Sequence, residues 1–154
     1  MISYDPGQET WFQHLSNEDY SFGKNKASLP YKENPSEHAL FFPISANLDR
    51  HFGPIIGIMT SQKSDQTLAG NGQLFKSIQR ELIKQKALSV VFTPEALAEN
   101  KITGYCYLPD RDTWIKVSIP LPHVVYNRIP FRQAEKTAAF QGAIDFFKEK
   151  GVPF

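Results

Sequence analysis

Two short stretches carry residue types that can hold an anion. Thr60-Ser61, after an apolar run, and Gly70-Asn71-Gly72, before an amphipathic one, bring hydroxyls and glycine-softened backbone to a predicted helix start. Helix N–H groups lack intrahelical partners there and favour negative charge, and in α/β proteins ligands bind beyond the carboxyl ends of the strands. Tyr126-Asn127-Arg128-Ile129-Pro130 adds a guanidinium at the same predicted sheet edge, and such a fork holds a carboxylate or phosphate through two parallel hydrogen bonds. A plainer reading stands beside each. Gly-Asn-Gly is also what a turn with an Asn cap looks like. Arg128 is equally read as a buried structural residue that satisfies carbonyls or pairs with Glu135.

Other chemistries find less. Gly70-Asn71-Gly72-Gln73-Leu74-Phe75 has Phe where a dinucleotide fingerprint needs its last Gly, no acidic residue follows the next strand, and there is no Walker lysine motif. His14, His38, His51 and His123 show no metal-ligand spacing, so no metal site is expected. His123 beside a predicted strand is read as a structural or surface residue rather than a base. Cys106, the only cysteine, cannot form an internal disulfide; it reads as packing in an alternating strand and fits a reducing compartment. Ser61 and Ser64 lack the glycines of a nucleophile elbow. No catalytic residue is assigned.

The elements that must position Thr60 and Gly72 lie between Pro54 and Phe92. Pro54-Ile55-Ile56-Gly57-Ile58-Met59-Thr60 is apolar on both sides of its pleat, as a strand buried on both faces must be. From Asn71, a plausible N-cap, Leu74, Phe75, Ile78, Leu82 and Ile83 recur at helical spacing, with Lys76, Gln79, Arg80, Lys84 and Gln85 on the other face. Ala87 to Phe92 is a second apolar run, so a βαβ crossover is expected. Thr93-Pro94-Glu95 predicts another helix, capped by Thr93. Lys101–Tyr107 and Thr113–Ile119 alternate around Pro109-Asp110-Arg111-Asp112 and predict an inserted antiparallel hairpin. Val124–Tyr126 reads as a third parallel strand, and a last helix is expected from about Arg132 to Glu149, ended by Gly151. Val152-Pro153-Phe154 looks like the start of another strand, which suggests a piece of a larger protein.

Residues 1–50 differ in texture. Short aromatic-rich runs separated by turn residues, such as Asp5-Pro6-Gly7, predict a small β subdomain, with Ser45–Phe52 as a connector. The fold class is therefore α/β: this subdomain, then a Rossmann-like unit over 53–154 with a mainly parallel sheet. The nearly balanced charge, +1 overall, makes nucleic acid an unexpected partner. No apolar window reaches the length of a membrane span or a signal peptide, so a cytoplasmic protein is expected.

Several of these strings together resemble one family. Gly57-Ile58-Met59-Thr60-Ser61, Ala69-Gly70-Asn71-Gly72 with Leu74-Phe75, Val91-Phe92-Thr93-Pro94, Gly104-Tyr105, and above all Pro122-His123-Val124-Val125-Tyr126-Asn127-Arg128-Ile129-Pro130 with Arg132 and Glu135 are similar to YheC/YheD proteins, endospore coat-associated proteins with an ATP-grasp domain. His123 departs from that pattern, where an acidic residue is expected. The resemblance implies that 53–154 is the pre-ATP-grasp domain, non-catalytic alone and forming one wall of a substrate cleft, with spore coat association. ATP and Mg would be bound only by an ATP-grasp domain downstream. Its partners would be that domain or other spore coat proteins. A free-standing coat or interaction module, or a binder of a small anionic ligand, remain alternatives.

Overall fold

The computed structural model describes residues 1–61, 72–130 and 132–154. The architecture is mixed α/β, dominated by strands, with two α-helices and mixed sheets. At the N-terminus β1 (Ile2–Asp5) and β2 (Thr10–Gln13) pair antiparallel. Their turn is closed by the Asp5 carboxylate, which accepts from the N–H groups of Gly7 (2.9 Å) and Gln8 (3.2 Å). Short strands β3 (Ser21–Phe22) and β4 (Ala27–Ser28) follow, then β5 (Leu40–Phe42), which adds to the free side of β1. The proline after β5 costs nothing there, because β5 is an edge strand.

The expected connector Ser45–Phe52 is instead paired backbone. β6 (Ser45–Ala46) and β7 (His51–Gly53) form a hairpin, and β7 lies parallel to β3, which gives a four-stranded sheet in the order β4-β3-β7-β6. Asn47 makes the turn by accepting from the N–H groups of Asp49 and His51. After a cis Gly53–Pro54 peptide, β8 (Ile55–Met59) begins the largest sheet.

That sheet brings β8 between two parallel neighbours, β9 (Leu88–Phe92) and β13 (Val124–Asn127); α1 (Gly72–Lys84) precedes β9. All of β9 is buried, Ser89 included, as its largely apolar run leads one to expect. On the far side of β9 the pairing turns antiparallel. β10 (Leu97–Ala98) and β12 (Thr113–Pro120) both pair with β11 (Lys101–Leu108), which meets β9 at Tyr105↔Val91. The sheet is thus mixed rather than mainly parallel, since the inserted hairpin joins it edge on. Gly104 makes that junction possible: a Cβ there would sit 2.6 Å from the Val91 carbonyl oxygen and 2.6 Å from Val90 Cγ2.

Two helix expectations are corrected. The segment after Thr93 is a single 3-10 turn, Pro94–Ala96, and the Thr93 side chain makes no capping bond. The last helix, α2 (Ala138–Glu149), starts six residues later than Arg132, because Thr137 caps it by accepting from the Phe140 N–H at 3.1 Å. It ends as expected: Gly151, at φ +71°, and Val152 return their N–H groups to the carbonyls of Lys148 and Phe147.

One hydrophobic cluster joins the N-terminal sheets to the large sheet, running from Ile2, Tyr4 and Trp11 to Val90, Phe92 and Phe147. Trp11 lies 4.8–5.8 Å, centroid to centroid, from Tyr4, Phe22 and Phe42. Its indole N–H donates to the Ser118 carbonyl of β12 at 2.8 Å, so the largest aromatic of the small layer is tied to the hairpin of the large one.

Candidate functional site

The described part of the expected anion site lies at the ends of β8 and β13. The Arg128 N–H continues the β13–β8 ladder onto the Met59 carbonyl at 2.8 Å. This holds the Arg128 backbone in place while its side chain is exposed. Neither a salt bridge nor a side-chain hydrogen bond engages the guanidinium among the described residues. Glu135, the expected structural partner, instead accepts from Asn127 Nδ2 at 3.4 Å. Asn127 Oδ1 accepts from the Ile129 N–H at 3.1 Å, so Asn127 shapes the turn that presents Arg128.

Thr60 is fully buried, its N–H donating to the Phe92 carbonyl at 2.9 Å, and Ser61 is half-buried. Gly72 opens α1 with nothing within 4 Å of where a Cβ would stand. Gly70 and Asn71, including the expected Asn71 cap, lie outside the described residues.

The helix is rotated relative to expectation. Its buried residues are Phe75 and Gln79, not the Leu74, Ile78 and Leu82 row. Phe75 packs on Ile58 and Val91. Gln79, expected on the polar face, repairs the sheet: its Oε1 accepts from the Tyr107 N–H at 2.8 Å and its Nε2 donates to the Tyr105 carbonyl at 3.5 Å. The side-chain amide thus stands in for strand pairing where β11 leaves β9 after one register pair. Beside it the Tyr107 hydroxyl donates to Asp112 at 2.6 Å and accepts from Arg80 at 2.8 Å, while Lys76 pairs with Asp112 at 3.0 Å. The Tyr107 bond, then Lys76, hold the Asp112 carboxyl below its ordinary range. These contacts lock α1 to the β11–β12 hairpin.

Because α1 is turned this way, Leu74, Ile78 and Leu82 face a groove of about 380 Å³. Ile56 and Ile58 of β8 line its floor, and Val124, Tyr126 and Arg128 line its far side. Arg128 and Leu74, in the first turn of α1, therefore line one groove. It is far more apolar than an anion site alone would be.

A second constellation escaped sequence reasoning. At the opposite edge of the sheet, His51 Nε2 and His123 Nε2 are 3.0 Å apart, His51 Nδ1 is 2.9 Å from Ser21 Oγ, and the Ile55 N–H donates to His123 Nδ1 at 2.9 Å. Burial lowers both imidazoles below their ordinary range, with Lys26 adding to the effect at His51, and His51 and Lys24 at His123. The signal was topological. Parallel β8 and β13 start side by side, so residues that precede them converge. Among the described residues no group of three His, Cys, Asp or Glu side chains is placed to hold a metal ion, and no helix is long and apolar enough to cross a membrane. Compared with family models, curated proteins and solved structures, the chain finds no match.

Proposed function

We propose that the chain is a non-catalytic binding domain of the kind its YheC/YheD resemblance implies, a Rossmann-like pre-ATP-grasp unit whose sheet edge at Arg128 forms one wall of a cleft for an anionic substrate. The observation that carries this is Arg128 itself: exposed, unpaired among the described residues, and fixed by the β13–β8 ladder beside the first turn of α1. A guanidinium on an anchored backbone and without a carboxylate partner is open to one. The parallel trio β9-β8-β13 with its α1 crossover supports the same reading. In this reading ATP, Mg and the acyl-transfer chemistry belong to an ATP-grasp domain. That domain or other spore coat proteins would be the partners.

Titration of the isotope-labelled chain with acetate and with inorganic phosphate tests it. Saturable amide shifts at Tyr126, Asn127 and Leu74, lost in Arg128→Gln, are expected. Shifts that are absent, or unchanged in that variant, overturn the assignment of Arg128 as an anion site.

A further inference from the structure

We infer that the groove beside Arg128 takes an amphipathic monocarboxylate, with its carboxylate on the guanidinium and an aliphatic tail between α1 and β13. The inference rests on the reading of Arg128 as an anion site and names the class of ligand. Three features of the groove carry it.

The first is the distribution of charge. Among the described residues Arg128 is the only charged one of the lining; the others are Ile, Leu, Val and one Tyr. A polyanion such as a nucleotide would leave most of its charge against hydrocarbon, whereas a single carboxylate is matched by a single guanidinium.

The second is direction. Arg128 follows the end of β13 and Leu74 lies in the first turn of α1, so both stand at one end of the groove. Val124 begins β13 and Leu82 is in the last turns of α1, at the other. From Leu74 to Leu82 the helix rises about 12 Å, a trough for an extended chain with its cation at one mouth.

The third is size and exposure. The volume of about 380 Å³ lies within the range of small-molecule sites, roughly 300–1,000 Å³. Leu74, Ile78, Leu82, Ile56 and Val124 are all only half-buried, and Tyr126 is 61% exposed. This is apolar surface that a tail would remove from water.

Isothermal titration of the full chain with acetate, butanoate, octanoate and octanol reads this directly. Each buried methylene tightens binding by up to about fourfold, so octanoate is expected to bind at least about tenfold tighter than butanoate and to shift the amides of Ile78 and Val124. Arg128→Gln should weaken octanoate by about tenfold or more and leave octanol unchanged. Leu82→Glu, at a half-exposed helix position, should weaken octanoate and leave acetate unchanged. If acetate binds at Arg128 but longer tails gain nothing, the inference is overturned while the anion site stands. If octanol binds as tightly as octanoate and Arg128→Gln affects neither, the carboxylate assignment fails. Concentration-dependent self-association that broadens the groove amides would give the surface to a second copy of the chain and overturn the ligand.

Discussion

The Nε2 atoms of His51 and His123 face each other at 3.0 Å, and the backbone decides which carries the proton. The Ile55 N–H can only donate, so His123 Nδ1 accepts and His123 Nε2–H must be the donor to His51 Nε2. The His51 Nδ1–H is then left to donate to Ser21 Oγ. Every nitrogen of the pair is committed with both rings neutral. One added proton breaks either the His–His bond or the bond from Ile55, and so loosens the junction of β7 with β8 and β13.

The pH dependence follows from the same geometry. Both imidazoles titrate below the ordinary value of 6.5 in the folded chain. The unfolded chain therefore takes up protons first, and stability is full above about pH 6.5 and falls as pH drops through the folded-state values. Urea midpoints are expected to decline as the pH is lowered below about 6.5, with a smaller decline in His51→Asn. NMR titration placing either imidazole at or above 6.5 would refute this.

Gln79 supplies a second prediction. Replacing it with Leu keeps the volume but leaves the Tyr107 N–H and Tyr105 carbonyl without their amide partner in a buried position. The expected loss is about 1–3 kcal/mol. Gln73→Leu, on the exposed side of the same helix, should change little. Equal effects at the two positions in chemical denaturation would mean that the amide is not repairing β11.

What could be read from sequence divides along physical lines. The parallel trio was legible because Ile55–Met59 and Leu88–Phe92 are largely apolar and buried, as central strands must be, while Val124–Asn127, exposed over Tyr126 and Asn127, fits the edge it occupies. Gln79 was not, since its place on the buried face depends on the side of β11 that β9 leaves open at Tyr107, 28 residues away from it in the chain. The two-residue strands β3, β4 and β6 carry too few residues for any period. Thr93-Pro94-Glu95 has the start of a helix but is followed by no apolar repeat, and a single 3-10 turn results. At the candidate site, the residue type of Arg128 was legible and its freedom was not. That freedom depends on Glu135 turning to Asn127 instead.

Two glycines should respond in opposite directions to the same substitution. At Gly104 a methyl group would lie 2.6 Å from the Val91 carbonyl oxygen, which belongs to the backbone of a fully buried strand and cannot step aside. Gly104→Ala is expected to cost at least about 2 kcal/mol. Gly142 is exposed within α2, with nothing within 4 Å of its missing Cβ, so Gly142→Ala should stabilise the chain by about 0.5–1 kcal/mol. Thermal melts of the two variants give the comparison, and a tolerated Gly104→Ala would mean that β11 does not approach β9 this closely.

Asn127 and Arg128 are neighbours with separable jobs. Asn127 accepts from the Ile129 N–H and donates to Glu135, so Asn127→Ala removes two polar contacts that shape the turn and is expected to cost about 0.5–1.5 kcal/mol. Arg128→Ala keeps the backbone bond to Met59, which needs no side chain, and removes a guanidinium that is exposed and unpaired among the described residues. Its stability should stay within about 0.5 kcal/mol of the parent. Anion binding should respond in the reverse order, lost in Arg128→Ala and only weakened in Asn127→Ala, where the guanidinium remains but is presented less firmly. Measured side by side by denaturation and by acetate titration, the two variants separate a structural arginine from a binding one. A large fall in melting temperature for Arg128→Ala, with acetate binding intact, would assign Arg128 to the fold and remove the site.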